Sequence, residues 1–196
     1  MDDFKTIKVT QTPTREIKID NPTNYPMIGK GVQGAIFQIS DDKCVKIYID
    51  EELAKREAAV YKVGSGSPIM PKAFKIGRNY LIMQYIKGTP LDQYLSKTGF
   101  IEPGMIQKLI AMFKEMERLG FKRYNPAVRH IIVTKDNSLK IIDHVGSFKK
   151  GPQIPVKLLV WMCNSGQSDV LLEQLNAIDT SDYDEWKEYL KRYLSS

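Results

Sequence analysis

Apolar residues dominate Ala35-Ile36-Phe37-Gln38-Ile39 and Cys44-Val45-Lys46-Ile47-Tyr48, each run interrupted by one polar residue, Gln38 and Lys46. Short runs this rich in β-branched and aromatic side chains predict strands. At Asp50 the pattern changes. Leu53, Ala54, Ala58 and Tyr61 return at helical spacing, Asp50 is placed to cap, and Glu51 and Glu52 suit the N-terminal end of a helix dipole, so a helix is expected as far as Val63. Gly64-Ser65-Gly66-Ser67-Pro68 breaks it. Two strands are expected next, Ala73 to Gly77 and the almost wholly apolar Tyr80 to Ile86.

Beyond Pro90 the pattern is mostly helical. Leu91 to Ser96 reads as a short helix. Glu102 to Leu119 reads as a long one, because Met105, Ile106, Leu109, Ile110, Phe113, Met116 and Leu119 recur at three and four, with Gly120 as the stop. A two-strand ribbon follows, Ile131-Ile132-Val133 and Leu139-Lys140-Ile141-Ile142, joined by a turn at Lys135-Asp136-Asn137-Ser138. The tail holds Pro155 to Met162, Ser168 to Leu175, and a helix from Ser181 to Leu194, with Ser181 and Asp184 as a capping pair and Trp186, Tyr189, Leu190 and Tyr193 as its apolar face. Residues 1–24 mix Lys, Thr, Asp and two prolines, and read as an N-terminal arm with one strand near Glu16-Ile17-Lys18-Ile19. There are no internal repeats and no low-complexity tracts.

Between the first apolar runs lies Ile28-Gly29-Lys30-Gly31-Val32-Gln33-Gly34, a G-x-G-x-x-G. Glycines so spaced let backbone N–H groups approach an anion with no Cβ in the way, and they equally suit a tight hairpin. A dinucleotide site would need them to open a helix, with an acidic residue roughly 20 positions on. A strand follows here instead, so the glycines belong to a strand–loop–strand hairpin. Lys46, between apolar neighbours on the next strand, is then either an edge charge or a phosphate ligand reaching under the loop.

This arrangement resembles the protein-kinase superfamily, whose signature pairs a G-x-G-x-x-G-x-V loop with a third-strand lysine. Ile36 stands where the family usually has Val. The resemblance runs from about residue 25 to 145. It implies an α+β, bilobal fold: an N-lobe of a five-stranded antiparallel sheet plus one helix (residues 25–88), and a reduced, mainly helical C-lobe (89–196). It also implies ATP and Mg²⁺ as cofactors. Gly29, Gly31, Gly34, Ile36 and Lys46 would meet the nucleotide. Glu57 matches the helix glutamate that pairs with the lysine, although a helical glutamate ordinarily lies on a solvated face. Lys87-Gly88-Thr89-Pro90-Leu91 resembles the hinge, so Met83 would control the depth of the adenine pocket, and Gln84, Tyr85 and Ile86 would offer backbone groups to the adenine edge. Asp143, ending a buried strand, matches the metal-binding aspartate, with Val145 in place of the motif's glycine.

The catalytic loop departs from the pattern. Arg123-Tyr124-Asn125 stands where His-Arg-Asp belongs, which puts Asn125 at the catalytic position and His130 at the asparagine that holds a second Mg²⁺. Asn125 keeps the shape and can orient a hydroxyl, but it carries no charge and is no useful general base. From the about 10²–10⁴-fold credited to such a base, that is roughly 3–5 kcal/mol of barrier. His130 offers nitrogen to a cation that prefers oxygen. No A-P-E-like segment follows Asp143, so the platform for peptide substrates is reduced. Two functions are implied: a weak or atypical serine/threonine-type protein kinase, or a nucleotide-binding pseudokinase that regulates a protein partner.

Composition narrows the field further. The chain has 196 residues, 42% hydrophobic and 27% charged, enough for one sizeable domain or two small lobes. No apolar run reaches the about 18 residues of a membrane span, and the N-terminus opens acidic, which predicts a cytoplasmic protein with no membrane partner. Cys44 and Cys163 lie in apolar stretches with no metal-type spacing, and are expected to be reduced core thiols. A net charge of +6 keeps open a third reading, a basic nucleic-acid-binding module without phosphotransfer. Such a module would want its cations clustered and interleaved with stacking aromatics. The positive residues are scattered instead, apart from one local group at Lys122, Arg123 and Arg129.

Overall fold

In the computed structural model, which describes residues 3–177 and 183–195, the chain divides into two compact units. One runs through Ile86 and takes in Asp143–Gly146; the other comprises Lys87–Ile142 and the chain from Ser147 onward.

The first unit is built on β3 (Met27–Gly31), β4 (Gly34–Gln38), β5 (Lys43–Tyr48), β6 (Ala73–Ile76) and β7 (Tyr80–Gln84), an antiparallel sheet in the order β3-β4-β5-β7-β6. Register and pleat sort its side chains. Ile36 lies opposite Lys46, which lies opposite Leu81; Cys44 lies opposite Met83, and Gly34 opposite Tyr48. Residues in register share a face and alternate residues share it too, so Cys44, Lys46, Tyr48, Leu81 and Met83 line one side. Ala35, Phe37, Val45, Ile47 and Ile82 line the other. Helix α1 (Glu51–Val63) starts at Asp50, whose Oδ1 accepts the Glu52 N–H at 2.7 Å. It buries Ala54, Glu57, Ala58, Val60 and Tyr61 and packs on β5 and β7.

The opposite side of the sheet is covered by the N-terminal segment, of which the sequence revealed one strand. β1 (Lys8–Gln11) and β2 (Ile17–Asp20) form an antiparallel hairpin. Phe4, Ile7, Val9 and Ile17 are buried with Ala35, Phe37, Val45, Ile47 and Ile82 in one cluster, and the Phe4 ring stands edge-on to Tyr80 at 5.0 Å. Each of the Val, Ile and Phe side chains contributes about 1.5–3 kcal/mol on burial. Short strands with only one or two inward apolar residues each give weak periodicity, which is why β1 is not legible in the sequence while β2 is.

Gly34 is fixed by close approach rather than by the turn alone. A Cβ there would sit 2.1 Å from the Ile47 carbonyl oxygen, so β4 could not lie against β5.

In the second unit β8 (Gly88–Pro90), β9 (Ile131–Thr134) and β10 (Leu139–Ile141) form a sheet in the order β10-β9-β8. The expected ribbon therefore has a third strand, supplied by the hinge-like Gly88-Thr89-Pro90. The helices are α2 (Leu91–Thr98), α3 (Pro103–Arg118), α4 (Val156–Asn164), α5 (Ser168–Ala177) and α6 (Asp184–Leu194). All the apolar positions predicted for α3 are buried, Leu119 just beyond its end included. It ends as Gly120 requires: with Gly120 at φ 70°, its N–H donates to Glu117 O and the Phe121 N–H reaches back to Met116 O. On α6, Trp186 and Leu190 are buried and Trp186 meets Phe113 edge-on at 5.3 Å, whereas Tyr193 is exposed and stacks on Tyr189. Ser181 of the expected capping pair lies outside the described residues.

Candidate functional site

The β5–α1 junction gathers an ion-paired chain of side chains inside the first unit. Lys46 projects from the α1 side of β5, and its Nζ donates to Glu57 Oε2 at 2.6 Å and to Asp143 Oδ1 at 3.0 Å. The Glu57 side chain is fully buried. Its Oε2 also accepts from the Tyr48 hydroxyl at 2.7 Å, and its Oε1 accepts from the His144 backbone N–H at 3.0 Å. A buried carboxylate is tolerable only when paired and hydrogen-bonded, and this one receives three donors. The Lys46 ammonium also lies 5.2 Å from the centre of the Tyr48 ring.

Burial by itself would depress the pKa of Lys46, but the charges of Glu57 and then Asp143, with their hydrogen bonds, outweigh it and hold the pKa above the usual lysine value. Lys46 is thus a fixed cation at neutral pH. Burial drives Tyr48 in the neutral direction, and the Glu57 charge adds to this, so its hydroxyl remains a donor. The Cys44 thiol is pushed up to about 12 by burial. It is buried and free, as its apolar surroundings predicted, while Cys163 is also free but only half-buried.

Asp143 differs from its partners in being exposed, with 40% of its side chain open to solvent. Its backbone is left-handed, φ 64°, a conformation that costs a non-glycine residue about 1–3 kcal/mol and clusters at functional positions. This bend lets adjacent residues serve one site. The Asp143 carboxylate turns to Lys46 while the next N–H, that of His144, turns to Glu57. His144 is itself buried, its ring edge-on to Tyr61 at 5.6 Å.

The glycines form the β3–β4 hairpin. Gly31 pairs with Gly34 across a turn at Val32 and Gln33, and the space where a Gly31 Cβ would sit is open. Gly29 lies opposite Ile36. At the end of β7, Met83 is buried and its sulfur lies 3.0 Å from the Tyr61 hydroxyl. The Gln84 N–H donates to Lys72 O and the Tyr85 N–H to Asp42 O, both at 2.8 Å, so these two donors are engaged within the unit. Ile86 makes no backbone hydrogen bond to a described residue.

Asn125 and His130 belong to the second unit. Asn125 is buried, and its Oδ1 accepts the Lys157 N–H at 2.8 Å. Lys157 is the second residue of α4, whose own capping position is Pro155, with no side chain to offer. Asn125 therefore caps α4 from a distant loop. The His130 backbone bridges Ala127 O and the Ile142 N–H. Among the described residues no group of three or more His, Cys, Asp or Glu side chains converges as a metal cage.

Three contributions were missed in the sequence. Tyr48 was detectable, since two residues beyond Lys46 on a strand means the same face. The His144 N–H and the capping by Asn125 involve backbone groups far away in the chain, and no local pattern announces them.

A five-stranded antiparallel sheet with one helix, a buried lysine–glutamate pair tied to an aspartate, and a mainly helical second unit make this fold protein-kinase-like. The sequence agrees at the same level: over 122 residues the chain is 27% identical to a Bacillus subtilis (strain 168) protein named "Putative serine/threonine-protein kinase YrzF". That likeness covers 60% of this chain and 57% of the relative, so the chain spans little more than half the length of the curated relative it matches. No protein-family model matches the sequence. Similar solved structures include a mutant of the PknI kinase domain of Mycobacterium tuberculosis, with TM-score 0.49 and 13% identity over 64% of this chain and 59% of that one. Another is WbdD in co-crystal with a kinase inhibitor, with TM-score 0.49 and 15% identity over 65% of this chain and 34% of that one. None of the described helices is long and apolar enough to cross a membrane.

Proposed function

We propose that this chain is a cytoplasmic, nucleotide-binding protein-kinase-like protein that takes ATP with Mg²⁺ and transfers its terminal phosphoryl group slowly to a protein acceptor. The observation that carries the reading is the Glu57–Lys46–Asp143 chain. A buried carboxylate fixes an ammonium, and that ammonium reaches a carboxylate that remains exposed. Phosphoryl transfer asks chiefly for positioned charge, and this arrangement supplies a cation for phosphate oxygens and an acid for a metal.

The residues fit the cofactors. Mg²⁺ is commonly held by one or two carboxylates together with substrate phosphates and water. The exposed Asp143 carboxylate meets that need with no protein cage among the described residues. The β3–β4 hairpin backbone and Lys46 would meet the phosphates, Ile36 and Met83 the base, and Ile86 would offer its backbone to the adenine edge. Bound Mg²⁺ would neutralise charge on the phosphates. His130 is not needed, since a nitrogen ligand suits this ion poorly.

Asn125 favours a second reading, a pseudokinase whose bound nucleotide regulates a partner. It lacks the charge of a base, and its Oδ1 is already occupied by the α4 cap. The two readings separate on incubation with ATP labelled at the terminal phosphate. The enzyme reading expects slow label transfer to the protein itself or to an added acceptor, abolished by Asp143→Asn and raised by Asn125→Asp. Absence of transfer together with a Mg-ATP-dependent rise in melting temperature would support the regulator. Neither transfer nor a thermal rise would overturn both.

A further inference from the structure

The second unit carries a concentrated positive surface around Asn125. Residues 119–135 hold Lys122, Arg123, Arg129 and Lys135, residues 147–167 hold Lys149, Lys150 and Lys157, and neither stretch contains an Asp or Glu. Backbone pairing draws the two stretches together. The Lys122 N–H donates to Ser147 O at 2.8 Å, the Tyr124 N–H to Pro152 O at 2.9 Å, and the Gly151 N–H to Lys122 O at 3.2 Å. The Asn125 bond to the Lys157 N–H closes the set. Lys122, Arg129, Lys149, Lys150 and Lys157 are exposed.

Arg123 is held differently. Its stem lies against Gly151, where a Cβ would come within 2.7 Å of Arg123 Cγ, and its Nε is buried without a hydrogen-bond partner. A guanidinium with a fixed stem is prepared for a planar anion, because little rotamer entropy remains to be lost on binding.

We infer that this surface binds an acidic polypeptide segment, one rich in Asp, Glu or phosphorylated side chains. On the kinase-like reading, on which this role rests, that segment is the acceptor. A protein partner fits better than nucleic acid. A nucleic-acid groove sets several free aromatic faces among its cations, whereas of the rings in these two stretches only Phe148 is exposed, and it packs edge-on against buried Phe121 at 5.7 Å, while Tyr124 and Trp161 are half-buried. Lys122 and Arg123 precede Asn125 in the chain, and Lys157 meets it through the α4 cap.

The test is fluorescence anisotropy of the full chain without nucleotide, using a labelled oligoglutamate peptide, a single-stranded oligonucleotide of equal charge, and an oligolysine control. The peptide is expected to bind, with oligolysine silent. Lys149→Glu/Lys150→Glu should weaken peptide binding by about tenfold or more through loss and reversal of charge, whereas Lys18→Glu/Lys62→Glu in the first unit leaves it unchanged. Should the reversed variant not fold, Lys149→Gln/Lys150→Gln is expected to weaken binding in the same direction. No peptide binding, equal losses in both pairs of variants, or tighter binding of the oligonucleotide than of the peptide would each overturn the inference. Because nucleotide is absent, failure here leaves ATP binding standing, and failure of ATP binding leaves this surface standing.

Discussion

Glu57 illustrates how far one side chain can be read from sequence and where that reading stops. Its helix and its family match singled it out, but its complete burial and its three donors follow from the alternation along β5 and from the bend at Asp143. The physical consequence is asymmetric. Lys46→Ala would leave a buried carboxylate without a counter-charge, and should cost about 3–5 kcal/mol of stability in urea unfolding. Lys46→Met/Glu57→Gln, which removes both charges, keeps one carbonyl acceptor for the His144 N–H and lets the amide donate to the Tyr48 hydroxyl oxygen, should recover much of that loss. Equal stability of Lys46→Ala and wild type would mean that the pair is not buried in solution. Tyr48→Phe removes one of the three donors and is expected to cost about 1–2 kcal/mol, the usual worth of a hydrogen bond to a charged group less some relaxation.

At the level of elements, the long periodic segments were legible and the short or non-local ones were not. α1 and α3 carry their caps, periods and stops within a few residues, as at Asp50 and Gly120. β1 and β8 hold too few residues for periodicity to mark them, and β8 is built from a glycine, a threonine and a proline. Asn125 belongs to the same lesson, since its role at α4 depends on a contact 32 residues away in the chain. Asn125→Ala should lower stability by about 1 kcal/mol, as removal of a helix cap does. Asn125→Asp retains the acceptor and places negative charge at a helix N-terminus, so stability should be unchanged or up to about 1 kcal/mol higher while any phosphoryl transfer rises. Thermal denaturation and the transfer assay, run on the same preparations, check both. A loss of stability in the aspartate variant would show that the cap is not formed.

For the molecule as a whole, the Lys46 ammonium and the Cys44 thiol sit on the same side of the first unit's sheet and both have raised pKa values, as do the Tyr48 and Tyr61 hydroxyls. A raised folded value means that the native state keeps its proton after the unfolded chain has lost it. Their stabilisation is therefore complete at neutral pH and fades as pH rises. For Cys44 the fall should begin where an unfolded thiol ionises and continue towards about 12, with a slope near 1.4 kcal/mol per pH unit for one proton. Cys44→Ala should remove the thiol's share of the slope in urea-measured stability between those limits, leaving the shares of Lys46, Tyr48 and Tyr61, and an unaltered slope would mean that the thiol is open to water.

The proposed role requires the first unit to receive a triphosphate. Calorimetric titration of the full chain with ATP in the presence of Mg²⁺ tests this most directly, with Asp143→Asn as the control, since Asp143 is exposed and its loss spares the core. Saturable binding by the wild type, weakened by omitting Mg²⁺ and lost in the variant, is the predicted result. Absence of binding by a folded wild type, or equal binding by the variant, would contradict it.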